Sequence, residues 1–330
     1  MPINLLWSLY TAACILVFAF LIAYDSHPEG ELQGFAGIFV NILRWIAGLQ
    51  RKTIHAAEYA IPYLDNGSGE RVVVLIHGFG ANKDCFLQLA MMLRYKMARV
   101  RLIIPDIPGF GATERKLNDD FSIEKQADRL GLFVSKIAAL LKVDAVHVAG
   151  NSMGGYIAGL IAVKHPKLVT SIWLINPAGT AAALKKSEAL NLFESTGENV
   201  LTFQSREELD RLLSYVYYAD PPTVPSFFLD AMVEKASQDK KLHQSIYDTI
   251  RKGKSDLAER LLTAGCDKIP VLLVWGDMDR VLNVDGVSEL LSVLPKAKVV
   301  VMKDMGHCPM LERPLETAHI YLEFLNSLES

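Results

Sequence analysis

The sequence predicts an α/β fold in which a mostly parallel sheet carries helices on both faces and an inserted helical cap. Three observations support this prediction. Short, largely apolar runs alternate with amphipathic helical segments, which is typical of a parallel sheet buried on both faces. A serine flanked by glycines directly follows one of these runs. Finally, about ninety residues between two runs are helical in composition, and a structureless loop of that length is uncommon in a compact domain.

The chain begins with an apolar run of 20 uncharged residues, Leu5 to Tyr24. At about 1.5 Å per residue it would span about 30 Å, the thickness of a hydrocarbon core. We therefore expect an uncleaved, single-pass membrane anchor, with a cleavable signal peptide and a buried helix as the alternatives. No basic residue precedes Leu5, as a signal peptide would require. The next basic residues, Arg44 and Arg51, lie too far away to decide which side of the membrane carries the domain.

A second apolar stretch follows a Pro-Glu-Gly break. Its apolar residues recur at three- and four-residue steps, and they are Phe35, Ile38, Phe39, Ile42, Leu43, Ile46 and Leu49. This spacing predicts an amphipathic helix. The helix fits a membrane surface, with Arg44 and Trp45 at the headgroups, and it fits the protein's own core equally well. Residues 1–52 are thus predicted to form the anchor plus an amphipathic juxtamembrane helix. The sequence does not decide whether these helices also form the interface of a homodimer.

Beyond about residue 53 the predicted strands and helices alternate. Strands are predicted at 59–63, as an edge strand, and at 72–76, 101–105, 143–149, 171–175, 271–275 and 299–302. Helices are predicted at 84–97, 122–142, 284–294 and 314–328. The predicted core therefore comprises residues 53–180 and 268–330, and the predicted helical cap comprises residues 181–267.

Composition excludes some classes of function. The net charge is −3 and no basic tract occurs, so no nucleic-acid partner is predicted. The four cysteines match neither a zinc site nor a disulfide framework. No cluster of histidine and glutamate has the spacing of metal ligands, so neither a metal nor a cofactor is predicted.

The glycine-flanked serine is Ser152, in the sequence Gly-Asn-Ser-Met-Gly at residues 150–154. A strand, a sharp turn and a helix in that order would expose the Ser152 hydroxyl in front of a helix N-terminus. The flanking glycines allow a backbone approach that a side chain would block. Because five-residue motifs also occur by chance, the interpretation of Ser152 as a nucleophile depends on its partners.

A serine nucleophile needs a base, and the base needs an orienting acid. His307 follows the last predicted strand, at the sheet edge that also carries Ser152, and it is the predicted base. His77 lies near the same edge but precedes a glycine loop, and we interpret it as structural. Asp279, just after the strand at 271–275, is the predicted acid, with Asp277 as the alternative. Asn176 is disfavoured because an amide carries no charge to stabilise an imidazolium.

Two backbone amides are predicted to form the oxyanion hole. Met153 offers its N–H at the start of the helix, and Phe79 lies in the glycine loop that follows the strand at 72–76. The loop by itself also fits an ordinary strand–helix turn. The predicted ends of four different strands therefore bring a nucleophile, a base, an acid and two donors to one edge of the sheet.

The motifs at residues 77–80, 108–111, 150–154, 275–279 and 306–307 resemble the α/β-hydrolase superfamily. More narrowly, the chain resembles membrane-anchored monoacylglycerol lipases with an α/β-hydrolase domain, and related bacterial lipases and phospholipases. Residues 53–180 and 268–330 carry the resemblance, whereas the cap matches only in length and apolar character. The resemblance implies Ser152 as nucleophile, His307 as base, Asp279 as acid, a fatty-acyl pocket under the cap and an N-terminal anchor.

We therefore predict a serine hydrolase that cleaves carboxylic esters of lipids drawn from a membrane bilayer: a monoacylglycerol, a lysophospholipid or a phospholipid. One alternative is a carbon–carbon bond hydrolase of the meta-cleavage-product type, which shares the serine motif and the triad. Two features argue against this alternative. Phe79 is bulky where such enzymes usually have a more glycine-rich oxyanion loop, and such enzymes usually have no membrane anchor. A second alternative is a non-catalytic, membrane-tethered binding module, whose signature would be a missing triad residue.

Overall fold

The computed structural model describes residues 33–96, 99–219, 221 and 223–329. The predicted anchor at residues 5–24 lies outside the described residues. Within the described ranges, no helix combines the length and the apolar character that a membrane crossing requires.

Eight strands form one sheet in the order β1-β2-β4-β3-β5-β6-β7-β8. The strands are β1 (Gln50–Ala56), β2 (Tyr59–Asp65), β3 (Arg71–Ile76), β4 (Val100–Pro105), β5 (Val146–Asn151), β6 (Val169–Ile175), β7 (Val271–Gly276) and β8 (Lys298–Met302). β2 is antiparallel to β1 and to β4, and all the other pairs are parallel. The predicted α/β fold with a mostly parallel sheet is thus confirmed.

Helices cover both faces of this sheet. They are α1 (Gly34–Ala47), α2 (Leu87–Tyr95), α3 (Ile123–Leu141), α4 (Met153–Lys164), α5 (Ala181–Lys185), α6 (Glu188–Thr196), α7 (Arg206–Val216), α8 (Ser226–Lys252), α9 (Leu257–Thr263), α10 (Gly286–Val293), α11 (Pro309–Glu312) and α12 (Pro314–Ser327). Strand side chains alternate between the faces, so Val72 and Val74 join the core beneath α3, α4, α9 and α10. Val73 joins the core beneath α1, α2, α11 and α12.

The antiparallel end of the sheet differs from the prediction. The strand at 59–63 is not at the edge, because β1 pairs with it along its whole length, from Gln50 opposite Asp65 to Ala56 opposite Tyr59. The edge position was therefore wrong. Pro62 is tolerated in this inner strand because the pairing of β2 with β4 starts only at Tyr63.

Helix α1 packs on the protein's own core. Val40 and Ala47 are buried there among residues of α2 and α12. Arg44, which one interpretation placed at lipid headgroups, is only 5% exposed, and its guanidinium donates two hydrogen bonds of 2.7 Å to Asp84. The carboxylate compensates for the burial of the charge. Trp45, in contrast, is 72% exposed.

The long insertion between β6 and β7 is helical. Helices α5 to α8 lie between Ala181 and Lys252, and no strand is assigned among the described residues from 176 to 270. Helix α9 also falls in the predicted cap range, but Leu257 and Leu261 are fully buried in the core beside α4. Helix α9 therefore packs with the core.

Candidate active site

Ser152 sits on a strained turn between β5 and α4. Its φ of 56° and ψ of −122° lie in a region that a non-glycine residue enters at a cost of about 1–3 kcal/mol. The flanking glycines are required sterically. A Cβ on Gly150 would lie 2.1 Å from the carbonyl oxygen of Gly154, and a Cβ on Gly154 would lie 2.1 Å from that of Ile76. The spacing of the motif is therefore a packing requirement of this turn.

His307 and Asp279 form a buried pair at the same edge of the sheet. His307 Nδ1 lies 2.7 Å from Asp279 Oδ2, and the Asp279 side chain has no exposed surface. A carboxylate can only accept, so Nδ1 donates and Nε2 is left as the accepting nitrogen of the neutral ring. The structure thus brings the predicted base and the predicted acid together.

Three further donors hold the Asp279 carboxylate. The amides of Val281 and Leu282 donate to Oδ1 at 2.8 and 2.9 Å. The side chain of Asn176 donates to Oδ2 at 2.6 Å. These bonds fix the orientation of the carboxylate towards His307. Sequence reasoning considered Asn176 only as a weak acid candidate and missed its contact with Asp279, which depends on how the side chain is oriented at the end of β6.

Asp277, the alternative acid, has a different contact. Its Oδ1 accepts from the amide of Met305 at 3.3 Å, and its own amide donates to the carbonyl of Met302 at 3.0 Å. These bonds join the loops that follow β7 and β8. Asp277 therefore shapes the loop leading to His307, whereas Asp279 is the carboxylate that contacts the imidazole.

The backbone of His307 is tied to two other parts of the site. Its carbonyl accepts from the side chain of Asn151 at 3.1 Å, and its amide donates to the carbonyl of Val216 at 2.8 Å. Asn151 is the residue directly before Ser152, and Val216 ends α7 of the insertion. The His307 loop is thus held between the serine turn and the inserted helices.

The two predicted oxyanion donors lie on segments that touch. A Cβ on Gly78 would lie 3.2 Å from Cβ of Ser152, so the loop carrying Phe79 packs against the serine turn. Met153 is the first residue of α4, where an N–H has no acceptor within the helix. Among the described residues, neither the amide of Phe79 nor that of Met153 donates to a backbone carbonyl in a turn, loop or helix cap.

Aromatic side chains from the insertion surround Phe79. Its ring lies edge-on to Tyr247 and His243 of α8, with centroids 5.8 and 6.1 Å away, and to Phe110 at 5.4 Å. Phe193 of α6 contacts Tyr247 at 5.3 Å. Burial lowers the pKa of His243 to about 4, so the ring is neutral near pH 7. This wall suits an apolar chain, and sequence reasoning had assigned none of its cap residues a place at the site.

In the part of the chain that the structure describes, no cluster of three or more histidine, cysteine or acidic side chains could hold a metal ion. The chemistry available at this edge of the sheet is that of a serine hydroxyl, an imidazole, a buried carboxylate and two amide donors.

Comparison with known proteins gives consistent matches. Residues 71–314 match the sequence model of the alpha/beta hydrolase fold. Lipase 1 of Psychrobacter immobilis is 35% identical over 271 residues, which is 81% of each chain. Monoacylglycerol lipase abhd6-B of Xenopus laevis is 30% identical over 95% of this chain and 92% of its own. The crystal structure of a membrane phospholipase A, described as a bacterial virulence factor, has a TM-score of 0.81 and 34% identity over 99% of this chain and 98% of that one.

Proposed function

The chain belongs to the alpha/beta-hydrolase family, and we propose that it hydrolyses carboxylic esters of lipids with Ser152 as its nucleophile. The observation that carries the proposal is the 2.7 Å contact between His307 and Asp279 at the sheet edge that presents the strained Ser152 turn. The chain order serine, aspartate, histidine is the order of this fold. No member of the triad is missing, which argues against a non-catalytic binding module.

Acylation follows from the roles of these groups. The Ser152 oxygen attacks the ester carbonyl carbon, and His307 Nε2 takes the hydroxyl proton. The buried Asp279 carboxylate stabilises the imidazolium, and the N–H groups of Phe79 and Met153 donate to the oxyanion. When the tetrahedral intermediate collapses, the ester C–O bond breaks and the leaving alcohol receives the proton from His307. The acyl group stays on Ser152.

Deacylation repeats these steps with water. His307 takes a proton from water as the water oxygen attacks the acyl carbon, and it then returns that proton to the Ser152 oxygen. The products are the alcohol, the carboxylic acid and the free enzyme. Acylation and deacylation are both balanced in protons and electrons without a cofactor.

A long acyl chain is supported by the surroundings of the site. The aromatic wall of Phe193, Tyr247 and Phe110 surrounds the Phe79 loop with apolar surface. The related proteins carry the names lipase, monoacylglycerol lipase and membrane phospholipase A. We infer a membrane-derived substrate, a monoacylglycerol, a lysophospholipid or a phospholipid, and a membrane anchor at residues 5–24. The exposed Trp45 suits the interface next to such an anchor.

The test is a panel of esters given to the full-length protein in vesicles. Release of fatty acid from monoacylglycerols, lysophospholipids and diacyl phospholipids is compared with release from a short soluble ester. Ser152→Ala should abolish hydrolysis of all of them. Ser288→Ala should not, because that serine is exposed on α10 and donates only to Asp285. Turnover of vinylogous diketones without any ester hydrolysis would instead support the carbon–carbon bond hydrolase.

A further inference from the structure

His77, at the end of β3, is fully buried and touches backbone groups with both ring nitrogens. The amide of Ile107 lies 3.0 Å from Nε2, and the carbonyl oxygen of Gly78 lies 2.8 Å from Nδ1. An amide N–H can only donate and a carbonyl oxygen can only accept. Nε2 must therefore be the acceptor and Nδ1 the donor. The surroundings thus select one state of His77: neutral, with its proton on Nδ1.

The Gly78 carbonyl belongs to the same peptide unit as the N–H of Phe79. Because that unit is planar and trans, its C=O and N–H point in opposite directions. A bond that holds the carbonyl towards His77 therefore aims the Phe79 N–H away from His77. The amide of Ala81 also reaches this carbonyl, but at 3.3 Å. The shorter bond of 2.8 Å comes from the imidazole.

The segment that contacts His77 Nε2 is also held in place by hydrogen bonds. Ile107 follows Asp106, whose buried carboxylate accepts from Nζ of Lys83 at 2.8 Å and from the backbone amides of Lys83 and Ala112 at 2.8 and 2.9 Å. Lys83 lies just beyond the oxyanion loop. The loop from His77 to Lys83 is therefore fastened at both ends to the segment that follows β4. A buried, fully hydrogen-bonded network of this kind restricts local motion.

We propose that His77 is a positioning residue for ester hydrolysis, and that its Nδ1–H orients the Gly78–Phe79 peptide so that the Phe79 N–H meets the oxyanion. This inference rests on the proposed function. His77 touches neither the substrate nor the reacting atoms; it acts through one peptide unit. Gly78 packs against Ser152, so a rotation of that unit moves the donor relative to the reacting carbonyl.

Two variants distinguish the hydrogen bond made by Nδ1 from the hydrogen bond made by Nε2. In His77→Asn the side-chain amide occupies the place of Nδ1 and can still donate to Gly78. In His77→Gln it extends to the place of Nε2 and can still accept from Ile107. Each variant loses one buried hydrogen bond, so similar losses in melting temperature are expected. Loss of one oxyanion donor typically lowers kcat about 10²- to 10³-fold, and we expect a loss approaching that range in His77→Gln alone.

The split between kcat and KM identifies the role. His77→Asn should keep kcat within about tenfold of the wild type, and KM for a soluble ester should change little in both variants, because a donor that acts only in the transition state affects kcat. Equal losses of kcat in the two variants, or a loss confined to KM, would overturn the positioning role.

A measurement on the unaltered protein covers the case in which a variant does not fold. Histidine-selective ¹⁵N labelling and two-bond ¹H–¹⁵N correlation should show His77 neutral, with its proton on Nδ1. A proton on Nε2, or on both nitrogens near pH 7, would overturn the inference. The proposed function fails separately, when the wild-type protein hydrolyses no ester. If it does hydrolyse esters but His77→Asn and His77→Gln behave alike, only the inference fails.

Discussion

Asn176 donates its side-chain amide, at 2.6 Å, to the carboxylate oxygen of Asp279 that also receives His307 Nδ1–H at 2.7 Å. A neutral donor here leaves Asp279 as the single charge beside the imidazole. Replacing Asn176 with aspartate would set two carboxylates at hydrogen-bond distance. Two such groups cannot both ionise easily, so the pair would retain a proton to higher pH.

We therefore expect Asn176→Asp to move the acidic limb of the pH profile of kcat/KM to higher pH and to lower activity at pH 7. The profile is measured with a soluble ester. Asn176→Ala is the matched control, since it removes the amide without adding a charge. A profile for Asn176→Asp that overlays that of the wild type would show that Asn176 does not influence the acid.

Asp279→Asn should lower kcat strongly while leaving the fold intact. The amide would present either a neutral oxygen or an N–H to His307 Nδ1, so the imidazole would lose its charge partner and its required tautomer. In serine proteases the corresponding change lowers kcat about 10⁴-fold. Asp277→Asn is the control and should stay within about tenfold, because its partner is the amide of Met305. Equal losses of kcat in the two variants would contradict the assignment of Asp279, and not Asp277, as the catalytic acid.

Gly154→Ala should displace the serine turn, because its Cβ would lie 2.1 Å from the carbonyl oxygen of Ile76. We expect a loss of about 1–3 kcal/mol or more in the free energy of unfolding, measured by urea denaturation, together with a large loss of kcat. Gly197→Ala is the control. It has a φ of 78° but no atom within 4 Å of the added carbon, so it should lose stability but retain kcat.

Stability should fall as the pH drops below about 6.5, the ordinary pKa of histidine. Burial, together with the nearby Arg71, lowers the pKa of His147 to about 4 in the folded protein. The unfolded chain therefore binds a proton on His147 that the folded chain does not bind. The contribution of His147 to the free energy of unfolding is complete above pH 6.5 and is lost as the pH falls towards 4, by at most about 1.4 kcal/mol per pH unit. His243, whose pKa is also lowered to about 4, contributes in the same direction.

His147→Asn tests this pH dependence. The asparagine amide lies where Nδ1 lies and can retain the 2.8 Å contact with Ser171, but it does not titrate. Unfolding midpoints measured from pH 4 to pH 8 should therefore depend less steeply on pH in the variant. An unchanged slope would show that His147 titrates normally in the folded protein. Activity at pH 7 should not change, since His147 lies near the start of β5, at the opposite end of that strand from Asn151 and Ser152.

Removal of residues 1–32 should lower activity on bilayer vesicles more than activity on a soluble short ester, because the predicted anchor delivers the enzyme to its substrate. The deletion must end before α1, since Val40 and Ala47 belong to the core and β1 begins at Gln50. Both activities are measured on one preparation. Equal losses on the two substrates would contradict the delivery role.

The sequence was most informative where burial or geometry constrains residue choice. The inner strands are mostly apolar because both of their faces are covered, so β3, β5 and β7 were predictable. The carboxyl ends of parallel strands meet at one edge, so the proximity of His307 to Asp279 followed from the order of the elements. Ser152 was recognisable because its turn accepts only glycine at the flanking positions.

The remaining features depend on tertiary partners that have no local signal. β1 begins with three polar residues, and it is a strand because β2 pairs with it. Arg44 is buried because Asp84, forty residues later, neutralises it. The contacts of Asn176 with Asp279 and of His77 with Gly78 depend on the orientation of side chains at the ends of strands. The aromatic neighbours of Phe79 depend on how α6 and α8 pack.

The most direct test of the central claim is the site at which a fluorophosphonate reacts. Wild-type protein is treated with the probe, digested and analysed by peptide mass spectrometry. We predict a single adduct on Ser152, no adduct in Ser152→Ala, and an unchanged adduct in Ser288→Ala. Labelling that persists in Ser152→Ala, or an adduct on a different residue of the wild type, would contradict the account.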